Sequence, residues 1–118
     1  MAIVVGLLST AEGQAALAAA KREAQERSVP LTVVVARADG GPEQQAVEDD
    51  LAASGVTHSV VAGTGDLAED LVRTAHDAGA ELIVVGLRRR SPVGKLILGS
   101  GAQRILLEAP CPVLAVKP

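Results

Sequence analysis

Five short aliphatic runs, spaced along the whole chain, constrain its fold more than any other feature. Ile3–Leu8, Leu31–Val35, Thr57–Val61, Leu82–Val85 and Val113–Val116 are rich in Val and Ile, with Gly, Pro or polar residues close to their ends. β-Branched side chains suit the pleated surface of a strand. Most of these runs are apolar without alternation, which predicts strands covered on both faces, as in a parallel sheet. Thr57-His58-Ser59-Val60-Val61 is more polar and reads as an edge strand.

Helical patterns fill the gaps. Ser9-Thr10-Ala11-Glu12 has the capping-box form, in which hydroxyl and carboxylate satisfy each other's free backbone amides. An Ala-rich helix follows to Glu26, with Leu17, Ala20 and Ala24 on one stripe. A second helix is expected from Pro42 to Ser54, with Val47 and Leu51 inward and Gly55 as its stop. The third begins near Asp66 and puts Leu67, Leu71, Val72 and Ala75 on one face before Gly79. The fourth begins near Ser100 and carries Ala102, Ile105 and Leu106 inward as far as Pro110. Strict alternation with short connections implies right-handed crossovers. The expected class is α/β: a doubly wound, five-stranded parallel sheet with helices on both faces. A length of 118 residues with 48% apolar content suits a single domain spanning 1–118.

Composition narrows the function. The chain holds no Phe, Trp or Tyr, so no base or sugar can stack on an aromatic ring. With a net charge of −3 it has no basic footprint, and nucleic acid is not an expected partner. Cys111 is the one cysteine, which excludes an intramolecular disulfide and fits a reducing cytoplasm. The apolar start, Met1 to Leu8, lacks a charged segment before it and is too short to span a bilayer, so it reads as a strand and not as a secretion signal or membrane anchor.

The segment from Gly86 to Gly101 carries the clearest chemistry. It leaves the carboxyl end of a buried strand, contains Arg88, Arg89, Arg90 and Lys95, and ends in Gly99-Ser100-Gly101 at a helix start. Free amides at a helix N-terminus attract anions, and glycine lets a phosphate approach the backbone. Arginine and lysine add charge-assisted hydrogen bonds to the same oxygens. In open α/β sheets ligands also sit beyond the carboxyl ends of strands, where the strand order reverses. A solvated basic loop capped by Ser100 is the alternative. Residues Leu87–Leu98 are expected to be irregular.

Val84-Val85-Gly86 through Gly99-Ser100, followed by Ala109-Pro110-Cys111-Pro112-Val113-Leu114-Ala115-Val116, closely resembles the universal stress protein family. The likeness extends over the whole chain and includes Ala80-Glu81-Leu82-Ile83-Val84-Val85-Gly86. It implies sheet order 3-2-1-4-5 and a homodimer paired through the last strand, Val113 to Val116. Some members bind ATP or AMP between strands 1 and 4, with magnesium accompanying ATP. Their motif is Gly, two residues, Gly, nine residues, then Gly-Ser or Gly-Thr. Here Gly86 fills the first place and Gly99-Ser100 the last, while Arg89 stands at the second glycine. The ribose-contacting Asp of such members falls on Leu8, and the residue whose backbone meets the adenine falls near Ala36. The resemblance thus implies phosphate contacts from Gly86, Arg88, Arg89, Gly99, Ser100 and Gly101 and an adenine contact from Ala36.

Other motifs are weaker. Gly63-Thr64-Gly65-Asp66-Leu67-Ala68 fits a dinucleotide pattern but follows an edge-like strand, and it reads as a turn with Thr64 or Asp66 as helix cap. Gly94-Lys95 lacks the Ser or Thr and the glycine spacing of a Walker loop. Cys111 reads as a partly buried small residue, and His58 and His76 as surface residues without a nucleophile partner. Glu48, Asp49, Asp50, Glu69 and Asp70 read as solvated helix faces. The expected function is a non-catalytic stress-response regulator binding ATP or AMP. A protein-interaction module with a degenerate nucleotide site, favoured by Leu8 and Arg89, is the alternative, and slow ATP hydrolysis ranks below both.

Overall fold

The computed structural model describes residues 1–7, 11–35, 41–89, 96, 97 and 100–117. Its elements are β1 (Ile3–Leu7), α1 (Ala11–Arg27), β2 (Leu31–Val35), α2 (Gly41–Ala53), β3 (His58–Ala62), α3 (Leu67–Ala78), β4 (Leu82–Gly86), β5 (Arg88–Arg89), β6 (Leu96–Ile97), α4 (Ser100–Glu108) and β7 (Val113–Val116). Five strands form one parallel sheet in the order β3-β2-β1-β4-β7. Counted within the sheet this is the expected order 3-2-1-4-5, in the expected α/β class.

Every residue of β1 and β2 is buried, which explains why their sequences do not alternate. Successive side chains feed two cores. Ile3, Val5, Val33, Val35 and Val84 pack with Ala16, Ala20 and Ala24 of α1 and Leu51 of α2. Val4, Val34, Ile83 and Val85 pack with Ala68, Leu71 and Ala75 of α3 and Ile105 of α4. Small residues on the inner stripe of α1 (Gly13, Ala16, Ala19, Ala20 and Ala24) bring that helix close to the sheet. The two edge strands, β3 and β7, are only partly buried.

Three details depart from the expectations. Leu106 is 46% exposed, because Ile105 beside it, about 100° around the helix, takes the inward position. Asp70 is 1% exposed and does not belong to a solvated face. The segment expected to be irregular contains a short antiparallel ladder, with Arg88 opposite Ile97 and Arg89 opposite Leu96. Ser9 and Thr10 of the capping box lie outside the described residues.

Candidate functional site

The sheet opens at its switch point. β1 stays paired with β2 as far as Leu7↔Val35, and β4 with β7 as far as Gly86↔Val116. Between β1 and β4 the pairing runs only from Ile3↔Leu82 to Val5↔Val84. Beyond Val5 the two central strands part at their carboxyl ends, which makes a crevice of the kind where open α/β sheets bind ligands. The crossovers on either side run to opposite faces, so helix N-termini gather at this end.

Gly86 closes one wall. A β-carbon there would meet the Glu12 carbonyl carbon at 2.7 Å and overlap the carbonyl oxygen, so the first turn of α1 rests on the end of β4. On the other face Leu67 lies over β1, with two methyl carbons 3.1 Å from where a Gly6 β-carbon would be. The next residue, Ala68, meets α4: its β-carbon lies 3.7 Å from the position of one on Gly101. The contacts Gly6–Leu67 and Ala68–Gly101 seat the start of α3 over β1 and the α4 N-terminus beside the start of α3.

Of the residues singled out in the sequence, Gly86 therefore ends β4, Arg88 and Arg89 form β5, and Ser100 and Gly101 open α4. Ala36, Gly99 and Leu8 lie outside the described residues. Leu67, expected on the core face of α3, packs against the second core and also lies over Gly6. The signal was the lone glycine at Gly6 inside a buried strand, which marks a close approach.

The Thr64 and Asp66 side chains on the β3–α3 turn are both engaged. Asp66 has extended backbone, and its Oδ1 accepts from the Glu69 amide at 3.2 Å, so it is the α3 N-cap. Arg104 Nη1 donates to Asp66 Oδ2 at 3.0 Å and to Oδ1 at 3.3 Å. Arg104, and then the Glu69 amide, hold the Asp66 carboxyl below the usual carboxylate range. Asp66 in turn raises Arg104.

Buried Asp70 accepts from the Thr64 amide at 2.7 Å, the Thr64 hydroxyl at 2.9 Å and Arg73 Nη2 at 2.6 Å. Burial pushes its pKa up, but these donors outweigh burial and the net direction is down. Asp70 thus locks the turn before α3. Its position three residues after Leu67, on the flank of the apolar stripe, was the available signal.

Cys111 packs against the second core, and burial raises its thiol pKa, the opposite of an activated thiolate. His76 is exposed at 79% of its side chain and lies beside Asp77. His58 is half-buried, and its Nδ1 lies 3.0 Å from the Val56 carbonyl oxygen. Glu69, Val72, Arg73, His76, Glu108 and Pro110 line an open groove of about 350 Å³ between α3 and the end of α4. Among the described residues no group of three or more His, Cys, Asp or Glu is placed to hold a metal ion. No helix among them is long and apolar enough to cross a membrane.

Comparison with known proteins gives a consistent picture. The model of the universal stress protein family matches residues 35–117. A universal stress protein of Mycolicibacterium smegmatis is 43% identical over 126 aligned positions, covering 98% of this chain and 97% of that protein. The structure of a universal stress protein from Archaeoglobus fulgidus superimposes with a TM-score of 0.79 at 30% identity, covering 99% of this chain and 98% of that one. Another, the A. fulgidus protein in complex with dAMP, superimposes at 0.71 with 24% identity over 99% and 98% of the two chains. From the family match and the relative aligned along nearly its full length, this chain belongs to the universal stress protein family.

Proposed function

We propose that the chain is a non-catalytic regulator of the cytoplasm that binds an adenine nucleotide, ATP or AMP, in the β1–β4 crevice. The observation that carries this reading is the end of β1–β4 pairing at Val5↔Val84, with the start of α3 seated over β1 and the α4 N-terminus packed against it. Gly86, Arg88, Arg89, Gly99, Ser100 and Gly101 take the phosphates, by backbone amides and by charge. Ala36 meets the base through its backbone, and Leu67 supplies an aliphatic wall where other proteins use an aromatic ring. Magnesium accompanies ATP as a phosphate counter-ion. The relative solved with dAMP supports a small adenine nucleotide as the ligand class.

A ligand that binds only the native state raises the melting temperature by mass action. ATP and AMP, each with magnesium, are therefore expected to raise it. No shift at about a hundred times a typical micromolar Kd, where the expected stabilisation is about 2.7 kcal/mol, overturns the nucleotide reading. Phosphate release from ATP is expected to stay at background; release abolished by Gly99→Ala would overturn the non-catalytic role.

A second reading is a protein-interaction module with a vestigial crevice, favoured by Arg89 at the place of the second motif glycine and by Leu8 at the place of the ribose-binding Asp. The thermal-shift result separates the two. Under either reading we propose a homodimer paired through β7. Leu114 at 36% and Leu106 at 46% exposure leave apolar surface on that strand and on the helix before it, and open strand edges in stable proteins are usually covered.

A further inference from the structure

The starts of two helices, α3 and α4, meet at the carboxyl end of the sheet, and one side chain ties them together. Asp66 caps α3 through the Glu69 amide and also holds Arg104 of α4 through both carboxylate oxygens. One turn before Arg104, Gly101 stands against Ala68. The first two turns of α4 are therefore fixed to the start of α3, one contact in each turn. The first turn of α3 is itself seated on the sheet by Leu67 over Gly6, and Thr64 just before it is pinned by buried Asp70.

We propose that Asp66 is a positioning residue for the phosphate subsite: through Arg104 it holds the α4 N-terminus at the β1–β4 crevice. This rests on the nucleotide reading above. Backbone amides reward a phosphate only when they are already aimed at it, so a helix start that drifts loses both hydrogen bonds and the favourable end of its dipole.

Charge and position act in opposite directions here, which makes the inference testable. A carboxylate near a bound phosphate repels it, so by charge alone its removal strengthens binding. If Asp66 instead positions the helix, its removal weakens binding. Asp66→Ser keeps a side-chain oxygen to cap α3 while removing both the charge and the partner of Arg104.

The test is calorimetric titration of the full chain with AMP and with adenosine, for wild type, Asp66→Ser, Arg104→Met, Arg104→Lys and the double variant Asp66→Ser/Arg104→Met. Wild type is expected to prefer AMP over adenosine. Each of Asp66→Ser and Arg104→Met is expected to weaken AMP binding about two- to fivefold, the range of a half-exposed ion pair, while leaving adenosine unchanged. The double variant should lose no more than the larger single loss, since both act through one contact, and Arg104→Lys should recover part of the affinity. AMP binding that is unchanged or tighter in Asp66→Ser, with wild type binding normally, overturns the positioning role and leaves the nucleotide reading standing. Equal losses for AMP and adenosine overturn its assignment to the phosphate subsite. Failure of wild type to bind AMP overturns both.

Discussion

Glu12 in the first turn of α1 rests directly on Gly86 at the end of β4, with no room between them for a β-carbon. The glycine that opens the family's nucleotide motif is therefore required by the packing of the chain itself. Backbone cannot yield as a flexible side chain does, so Gly86→Ala must move the start of α1 or the end of β4. Overpacking of this kind costs about 1–3 kcal/mol. Urea unfolding without nucleotide is expected to show that loss, and unchanged stability would mean that α1 shifts freely.

The buried Asp70 carboxylate gives a second prediction. Asp70→Ala leaves the Thr64 amide without its acceptor, at a cost of about 1–3 kcal/mol in unfolding free energy, read from a lowered urea midpoint. Asp70→Asn keeps the volume but not the charge that Arg73 meets, and should fall between the variant and wild type.

Acid sensitivity follows from the same residue and from Asp66. Both carboxyls are held below their ordinary value of 3.8. The folded state thus binds protons less readily than the unfolded one, and their stabilisation is fully present above that value. It is lost as pH falls below it, towards the folded-state pKa values. Urea midpoints should drop as pH is lowered through 4 and below, about the range where unfolded carboxyls protonate. Asp70→Asn should flatten that decline.

The proposed pairing of two copies through β7 can be probed without breaking the β4–β7 ladder. The Ile83 amide donates to Pro112 and the Leu87 amide to Val116, so carbonyls of even-numbered residues face β4. In a parallel strand the amides of Val113 and Ala115 then face the open edge. Ala115→Pro removes one outward donor and spares the β4 ladder. Light scattering at micromolar concentration is expected to give a dimer for wild type and a monomer for the variant, and a wild-type monomer would refute pairing.

Cys111 should react slowly. Its thiol is half-buried and its pKa raised by burial, so a thiol-specific disulfide reagent at neutral pH is expected to label the native chain far more slowly than the urea-unfolded one.

Much of this architecture was legible locally. Val4 and Val5, or Val33 and Val34, are successive apolar residues because each neighbour feeds a different core, and that pattern is written in the sequence. The cap of α3 was readable as Thr64 or Asp66, because capping chemistry acts within one turn, and the structure selects Asp66. What escaped depends on contacts between distant segments. Asp70 looks like any helical acid until Thr64 folds back on it. Arg88 and Arg89 pair with Leu96 and Ile97 over two residues only, too few to show a strand period. The crevice exists because β1–β4 pairing stops at Val5↔Val84, a register that no local signal encodes.

The two cores are packed entirely from aliphatic side chains, and the consequence is spectroscopic. A chain without Phe, Trp or Tyr is nearly transparent in the near ultraviolet, so neither folding nor purity can be followed there. The same darkness is useful for the question of the ligand. Any adenine retained in the crevice through purification would be the dominant chromophore of the sample, visible in an absorbance scan before a single titration is run.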